Sequence, residues 1–396
     1  MEDDGTVTTP RAETTAEKAG VLVLGRSFFH RFTRRAALFA CLKTTVVKTE
    51  QGIVRMKHTL LPLIAVAALA IAGAASAASA STLSDVKAKG FLQCGVNEGL
   101  PGFGNPDSSG NYTGFDVDYC RAVAAAIFGD PSKVKYTPLG GTNRFPALQS
   151  GEVDLLVRNT TWTMSRDTTL GFTFAGVNYY DGEGFMVRKS ANIAHVKDLD
   201  GATICVQSGT DTVTGLADYF KKNNLKYTPL VIDALADVNK AYDDGRCDAL
   251  TTDRSGLAAN RLQMTKPDDH IILPEIISQE PLGPVVRNND VQWFQIVKWV
   301  SNALLDAEYL GVTQANVDDM AKSDDSSIQR LLGVGDNDFG KSMGLDAKWA
   351  YYVIKGVGNY GDIYERNLGL KTPMQLARGL NAQWNQGGLQ YGIPIE

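Results

Sequence analysis

The stretch Lys135-Tyr136-Thr137-Pro138-Leu139 recurs 91 residues later as Lys226-Tyr227-Thr228-Pro229-Leu230. A second echo follows in the same order: Gly151-Glu152-Val153-Asp154 is matched, at an offset of 94, by Gly245-Arg246-Cys247-Asp248. A single match can arise by chance. Two matches in the same order, at nearly equal offsets, predict two lobes of similar build.

Short apolar strands alternate with helical segments around these echoes. We expect strands at 91–96, 134–139, 153–159, 184–188, 202–207, 227–232, 248–252 and 271–276, and helices at 115–128, 143–150, 211–222, 234–244 and 291–310. Asp233 and Gly245 are typical of the start and the stop of the fourth helix. Alternation of this kind predicts an α/β protein, in which helices flank mostly parallel sheets. Residues 311–396 are expected to be mainly helical.

The first eighty residues are expected to lie outside this fold. Residues 56–80 combine a basic start, an apolar run of 13 residues and an exit rich in alanine, the three parts of a secretory signal peptide. The run is shorter than the roughly 20 residues that a membrane span needs. We interpret Met56 as the start of translation and residues 1–55 as an over-extended N-terminus. A buried Ala-rich helix is the alternative interpretation of 56–80.

Charge and cysteine content describe an exported protein. Without residues 1–80, the chain keeps 29 basic and 38 acidic residues, and a net charge of −9 does not favour nucleic-acid binding. Four cysteines remain, an even number that fits two disulfides in an oxidising compartment. Three pairings are possible. We favour Cys94–Cys120 and Cys205–Cys247, because each keeps its bridge inside one lobe.

Two glycine- and proline-containing stretches are candidates for the connections between the lobes. We expect hinge strands at 184–188 and 279–287, since a few residues absorb the backbone change of a hinge motion. Lobe 1 would then comprise 81–183 and 288–396, with a helical C-terminal extension, and lobe 2 would comprise 189–278. Two ordinary edge strands are an equally valid interpretation of these stretches.

Polar segments follow strands at three places, and they predict a ligand site. The segment 159–167 contains Thr161 and Arg166, the segment 207–212 begins a helix, and Asp253 ends another strand. Ligands bind beyond the carboxyl ends of strands in open α/β sheets, and helix starts attract anions. Arg166 can hold a carboxylate through two parallel bonds. Arginine, hydroxyls and aspartate together match a zwitterion, although a surface arginine and an N-cap aspartate are the plain alternatives.

Enzyme signatures are weak in the sequence after residue 80. Only His195 and His270 remain there, and no nucleophile elbow, phosphate loop, dinucleotide fingerprint or zinc spacing occurs. The cysteines are spaced 26, 85 and 42 residues apart, unlike metal ligands. We therefore expect no catalytic residue, no metal and no cofactor.

A family resemblance is carried by Gly114-Phe115-Asp116-Val117-Asp118 and the helix that follows. This motif resembles the signature of bacterial extracellular solute-binding proteins for polar amino acids, family 3, with Tyr119 where the family usually has an aliphatic residue. The resemblance extends from about residue 83 to residue 396. The segment 140–154 and the closing 387–394 are similar to the members that bind L-amino acids generally for ABC transporters.

The resemblance implies a two-lobed periplasmic-binding-protein type II fold that closes on its ligand. It implies a soluble periplasmic monomer that captures L-amino acids with broad specificity and is not an enzyme. Its partners would be the permease subunits of an ABC transporter with their ATPase. A periplasmic dehydratase of a cyclic amino-acid precursor is the rival on the same fold, and delivery of ligand to a sensor is a second.

The resemblance also implies roles for individual residues. Arg166 falls at the position that binds the ligand α-carboxylate, and Asp253 falls at the position that holds the α-ammonium. The other α-group contacts would come from Asn159, Thr161, Thr210 and Thr212. Family members often stack an aromatic residue near the position of Leu100, so Phe103 or Trp162 is expected to serve the ligand side chain. Arg144 is expected to reach an acidic side chain.

Overall fold

The computed structural model describes residues 81–396, and the expected signal peptide and translation start lie outside the described residues. Helices lie at Thr82–Lys89 (α1), Phe115–Phe128 (α2), Arg144–Ser150 (α3), Thr212–Lys222 (α4), Leu235–Asp243 (α5), Arg254–Arg261 (α6), Val291–Tyr309 (α7), Val317–Met320 (α8), Ser326–Leu332 (α9), Trp349–Val357 (α10) and Tyr360–Asn367 (α11). In this part of the chain, no helix is both long and apolar enough to cross a membrane.

Fourteen strands accompany these helices in the described residues. They lie at Leu92–Asn97 (β1), Asn105–Pro106 (β2), Tyr112–Thr113 (β3), Val134–Leu139 (β4), Leu155–Leu156 (β5), Phe172–Phe174 (β6), Tyr179–Asp181 (β7), Glu183–Arg188 (β8), Ala202–Gln207 (β9), Tyr227–Ile232 (β10), Ala249–Asp253 (β11), His270–Ile272 (β12), Glu280–Leu282 (β13) and Val285–Arg287 (β14). Single helical turns, among them the π-type turn Ser165–Thr169, complete the fold.

Two five-stranded sheets have the same plan. The first has the order β4-β1-β5-β14-β6 and the second the order β10-β9-β11-β8-β12. In each sheet the first three strands are parallel, and the fourth is antiparallel to both of its neighbours. Four of five strands therefore run in one direction, which confirms the predicted α/β architecture with mostly parallel sheets.

The two sequence echoes occupy equivalent places in these sheets. The repeated strands β4 and β10 both lie at a sheet edge. An edge strand tolerates Pro138 and Pro229, because the N–H that proline lacks is not needed there for a hydrogen bond in the middle of the sheet. Asp154 Oδ2 accepts from the Gln93 amide at 2.9 Å, and Asp248 Oδ2 accepts from the Thr203 amide at 2.7 Å. Each aspartate thus joins the start of its own strand to the start of the neighbouring strand.

The connections between the lobes lie at β7 and β13 rather than at the expected strand 184–188. These two short strands pair antiparallel outside both five-stranded sheets. Residues 184–188 belong to β8, the fourth strand of the second sheet, and 285–287 form the fourth strand of the first sheet. The chain thus passes from one sheet to the other at 179–182 and returns at 280–284, and we place the lobe boundaries there.

Two smaller expectations also need correction. The strand expected at 153–159 is only Leu155–Leu156, because the chain after it turns into the polar segment at the sheet edge. Helix α5 has Ala234 at its N-cap, so Asp233 does not cap it. The Asp233 carboxylate instead accepts from the hydroxyls of Ser208 and Thr142, both at 2.9 Å.

The C-terminal extension is part of the lobe 1 core. Trp293 of α7 and Tyr360 of α11 are buried in one hydrophobic cluster with helix α2. The Tyr360 hydroxyl donates to the Asn178 carbonyl at 2.9 Å, directly before the crossing strand β7. The extension therefore supports the base of the connection between the lobes.

Both disulfides have the predicted pairing. Cys94–Cys120 joins β1 to helix α2, with Cα atoms 6.2 Å apart. Cys205–Cys247 joins β9 to the segment before β11, with Cα atoms 5.7 Å apart. Each bridge therefore lies within one lobe and leaves the movement between lobes unconstrained.

Replacing Cys205 and Cys247 together by alanine should lower the free energy of unfolding by about 3–4 kcal/mol, because the unfolded chain loses a closed loop. Chemical denaturation of the variant and of the wild type under non-reducing conditions measures this difference. In the presence of a reductant, the denaturation midpoints of the two proteins should lie closer together, and this comparison serves as the control. Equal denaturation midpoints without reductant would contradict the expectation.

Candidate functional site

The carboxyl ends of the parallel strands in the two sheets face each other across a narrow cavity. Its lining contains residues from both lobes: Asn97, Leu100, Arg144, Arg158, Asn159, Gln207, Thr210, Asp211, Thr212, Leu235, Thr252, Asp253, Gly256 and Asn260. Most of these residues come from the segments immediately after strands or at helix starts. This is the position that the strand-end rule predicts for a ligand.

Two buried arginines of lobe 1 line this cavity. Arg144 is 1% exposed, and its Nη2 donates to the Gly209 carbonyl of lobe 2 at 3.2 Å. Arg158 is 4% exposed, and its Nε donates to the Leu139 carbonyl at 2.9 Å. Burial, aided by the neighbouring arginines, lowers the pKa of Arg144 well below its usual value. Burial also lowers the pKa of Arg158 to about 10, so an anion in the cavity would stabilise both cations.

Arg166 stands beside the cavity rather than in its lining. Its Nη1 donates to the Thr161 carbonyl at 2.8 Å, and its Nη2 contacts Asp211 Oδ1 of lobe 2 at 3.2 Å. The π-type turn Ser165–Thr169 places the Arg166 guanidinium next to the segment that follows β5. Desolvation opposes ionisation of Asp211, but Arg166, Glu280 and other polar neighbours together outweigh it and keep the Asp211 pKa below its ordinary value.

Lobe 2 contributes hydroxyls and a carboxyl group. Thr210 and Thr212 lie at the start of helix α4, and the Thr210 hydroxyl donates to the Gln207 carbonyl at 2.7 Å. Asp253 occupies the N-cap position of helix α6, but its side chain makes no capping bond. Burial, together with the carboxyls of Asp181 and Glu280, raises the Asp253 pKa well above its ordinary value. A cation next to Asp253 would therefore stabilise its ionised form.

Asn159 and Thr161 lie on the lobe 1 side, and the family motif positions the first of them. Asn159 has a positive φ of 42°, and its amide donates to Asp116 Oδ2 at 3.0 Å. Asp116 belongs to the motif Gly114-Phe115-Asp116. Thr161 is buried and bridges to Leu282 of the crossing strand β13. The structure thus brings Asn159 to the cavity and Thr161 to the junction behind it.

Two of the expected side-chain contacts are not brought to the cavity. Phe103 is fully buried in the lobe 1 core, where it packs edge-on against Phe115 and Tyr179. Trp162 is 37% exposed and stacks on Phe174 with ring centroids 5.4 Å apart. Leu100 lines the cavity instead. The wall at this position is aliphatic, so it provides no aromatic stacking surface.

Direct hydrogen bonds hold the lobes together around the cavity. Glu98 of lobe 1 accepts from the Leu235 amide at the start of helix α5 at 2.9 Å. Gln263 of lobe 2 donates to the Gly99 carbonyl at 3.1 Å. Together with Arg144 and Arg166, these contacts describe a closed arrangement of the lobes.

Buried carboxyl groups face each other behind the cavity. Asp181 lies opposite Glu280 across the β7–β13 pair, and Glu183 lies opposite Asp253 across β8–β11. Burial raises the pKa of Asp181 to about 6 and, with help from Asp211, that of Glu280 to about 7. Burial and Glu280 raise the pKa of Glu183 to about 9. Within residues 81–396, no group of these side chains is arranged to hold a metal ion.

Sequence reasoning missed several lining residues. Arg158 directly precedes Asn159, and Asp211 lies between Thr210 and Thr212, so the strand-end rule already pointed at both segments. Gln207 was predicted only as the first residue of the segment 207–212, and no contact with a ligand was assigned to it. Asn260 lies near the end of helix α6, and no local pattern in the sequence marks it.

The fold and this cavity define a two-lobed binding protein with its ligand site between the lobes. The family model of bacterial extracellular solute-binding proteins, family 3, matches residues 92–309. The chain is 61% identical over 341 residues to the general L-amino acid-binding periplasmic protein AapJ of Rhizobium johnstonii, covering 86% of this chain and 100% of that protein. The chain belongs to solute-binding protein family 3.

Two further comparisons agree with this assignment. The glutamate/glutamine/aspartate/asparagine-binding protein BztA of Rhodobacter capsulatus is 56% identical, over 80% of this chain and 93% of that protein. An ABC transporter periplasmic binding protein from Brucella ovis, solved with glutathione bound, is 61% identical with a TM-score of 0.79, covering 80% of this chain and 100% of that one. These relatives are named as binding proteins and not as enzymes.

The buried carboxyls predict how stability depends on pH. A carboxyl whose pKa is raised in the folded state keeps a proton that the unfolded chain has already released, so stability falls as pH rises from about 4 through the folded values. Glu280→Gln should therefore gain about 1–2 kcal/mol over the wild type between pH 5 and pH 8 in the ligand-free protein.

Urea denaturation of the ligand-free protein at several pH values measures this difference. Glu152→Gln is the matched control, since Glu152 is exposed and should leave the slope of stability against pH unchanged. Parallel slopes for Glu280→Gln and the wild type would show that Glu280 ionises normally in the folded protein.

Proposed function

We propose that this protein binds free L-amino acids of several kinds in the cleft between its lobes and delivers them to the permease of an ABC transporter. The single observation that carries the proposal is that Arg144 and Arg158 of lobe 1 line one cavity with Asp253 of lobe 2, while the buried Arg166 lies beside it. A zwitterion supplies a carboxylate for the arginines and an ammonium for Asp253. The names of the relatives support the same ligand class.

Arg166 and Asp253 are the proposed holders of the groups that all α-amino acids share. Arg166 is 6% exposed and already aimed toward lobe 2, where the start of helix α4 adds backbone N–H groups. Asn159, Thr161, Thr210 and Thr212 complete this shared part of the proposed site. Fixing the α-groups gives affinity without selecting a side chain.

The proposed side-chain part of the site lies near Arg144, Arg158 and Leu100. Two guanidinium groups beside an aliphatic wall favour side chains that end in a carboxylate or an amide oxygen. Ligands with apolar side chains would contact Leu100 but leave the guanidinium groups without an anion. We therefore expect broad binding with a preference for acidic and amide side chains.

Closure is the proposed signal to the transporter. Ligand contacts made by both lobes exist together only in the closed form. Binding therefore shifts the population toward the closed form, by an amount set by the difference in ligand affinity between the closed and open forms. The closed surface of a periplasmic monomer would then be the form that the permease recognises. Purified permease should bind the liganded protein more tightly than the ligand-free protein.

Glutathione is a second candidate ligand, because the similar Brucella ovis protein was solved with glutathione bound. Its glutamyl end carries a free α-carboxylate and α-ammonium, so the proposed α-group contacts would serve it as well. The contacts of Glu98 and Arg144 across the cavity would then have to open, because the rest of the tripeptide extends beyond the space that they enclose.

Calorimetry with glutamate, glutamine, histidine, leucine and alanine should show several ligands competing for one site. Arg166→Ala should weaken all of them by about 2–5 kcal/mol, because it removes a buried partner of the shared carboxylate. Arg144→Leu should weaken glutamate much more than alanine. The ligands should be recovered chemically unchanged.

Arg121→Ala is the matched control, since this lobe 1 arginine is half-exposed and pairs with Asp118 away from the cavity. It should leave every dissociation constant unchanged. A loss confined to one ligand in Arg166→Ala would contradict the proposed role of Arg166. Conversion of arogenate or prephenate by the wild type would contradict the binding function and favour the dehydratase.

A further inference from the structure

A second cavity lies in the C-terminal extension of lobe 1, and none of its residues lines the cleft. Its volume is about 270 Å³. It is bounded by the end of helix α7, by helix α9 and by the last residues of the chain. The residues that line it are Asp306, Tyr309, Leu310, Ser327, Arg330, Leu331, Gln383, Trp384, Tyr391, Gly392, Pro394, Ile395 and Glu396.

Three aromatic rings form one continuous wall of this cavity. The Trp384 ring lies 6.2 Å from Tyr309 in a stacked arrangement and 5.4 Å from Tyr391. All three are about half-exposed: 48% for Trp384, 54% for Tyr309 and 62% for Tyr391. Aromatic faces that remain open at a cavity attract organic cations through the ring quadrupole.

Two buried oxygen acceptors in the lining have no hydrogen-bond partner among residues 81–396. Gln383 is 1% exposed, and its Nε2 donates to the Leu305 carbonyl and to Glu308 Oε2, which fixes the amide and leaves Oε1 without a donor. Asp306 Oδ2 is buried and equally without a donor. Unpaired buried acceptors are costly, so a ligand that donates hydrogen bonds here would be favoured.

The closing segment keeps the Asp306 carboxyl at the cavity. A Cβ atom at Gly392 would overlap Asp306 Oδ1, so a larger residue at this position would displace the Asp306 carboxyl. Burial raises the pKa of Asp306 to about 7. The other charged groups in the lining are Glu396 and Arg330, and Arg330 donates to Ser327 Oγ at 3.3 Å.

We infer that this cavity is a second binding site, separate from the cleft, for a small organic ammonium ion. The ammonium group would donate to Asp306 Oδ2 and Gln383 Oε1, while its carbon atoms pack on Trp384, Tyr309 and Tyr391. The buried Nε of Arg330 also lacks a partner among the described residues, so an ammonium compound that carries an oxygen acceptor would satisfy all three atoms.

Binding of n-butylammonium tests this inference, with 1-butanol as the neutral compound of the same shape. The indole N–H resonance of Trp384, assigned by its loss in Trp384→Phe, should shift on titration with n-butylammonium but not with 1-butanol. The compound 4-aminobutyrate should bind more tightly than n-butylammonium, because its carboxylate can reach Arg330. Affinity for the cation should rise from pH 6 to pH 8, as Asp306 ionises.

Variants locate the site. Asp306→Asn keeps the shape of the side chain and should weaken n-butylammonium about tenfold. Trp384→Ala removes the reporter resonance, so its affinity is measured by calorimetry, and it should weaken n-butylammonium about threefold to fivefold. Asp319→Asn is the matched control, because Asp319 is an exposed carboxylate on helix α8. Binding of glutamate in the cleft should be unchanged in all three variants, which also shows that they fold.

Three outcomes would overturn the inference. If 1-butanol shifted the Trp384 resonance as much as n-butylammonium does, the cavity would be an apolar surface that does not recognise charge. Binding that survives Asp306→Asn but is lost in the cleft variant Asp253→Asn would place the cation in the cleft. Failure of both ammonium compounds to shift the Trp384 resonance would show that the cavity takes no ammonium ion, while leaving the cleft function untouched.

Discussion

The burial of three guanidinium groups on one lobe is the constraint on which the arrangement of this protein depends. Arg144, Arg158 and Arg166 are all buried, so the N–H groups of each need acceptors once water is removed. Leu139 and Thr161 on the same lobe supply two carbonyls. The Nη2 atoms of all three arginines contact lobe 2 in the closed arrangement. Arg144 Nε has no hydrogen-bond partner among residues 81–396.

The carboxyls behind the cavity are a second set of buried ionisable groups. Like charges placed opposite each other in a sheet repel, and burial raises the pKa of both carboxyls in the pairs Asp181/Glu280 and Glu183/Asp253, which favours their protonated forms. A ligand ammonium at Asp253 would favour the ionised form of a carboxyl whose pKa burial raises. The cleft is thus an electrostatic system in which ligand, protons and lobe position are linked.

Much of the fold was predictable because it depends on local patterns. The strands 134–139, 202–207 and 227–232 and the helix 115–128 were predicted with their observed bounds, since glycine stops and apolar runs mark them. The disulfide pairing followed from the division into lobes. The position of the connection between the lobes could not be predicted in this way, because an apolar strand such as 184–188 has the same composition whether it joins two sheets or lies inside one.

The candidate site was also predictable only in part. Thr210, Thr212 and Asp253 line the cavity because strand ends converge, which sequence order alone can indicate. Phe103 and Trp162 were placed by analogy with relatives, and the structure instead packs the first into the core and the second on Phe174. Which neighbour an aromatic ring finds depends on tertiary packing, and a single sequence does not contain that information in readable form.

The short β7–β13 pair makes the second lobe an insertion. Its chain enters beside Asp181 and leaves beside Glu280, residues that lie opposite each other on paired strands. The two ends of the inserted module are therefore separated by about 5 Å, one interstrand spacing. Such close termini suit excision and circular permutation of residues 183–278, which have their own sheet, core and disulfide.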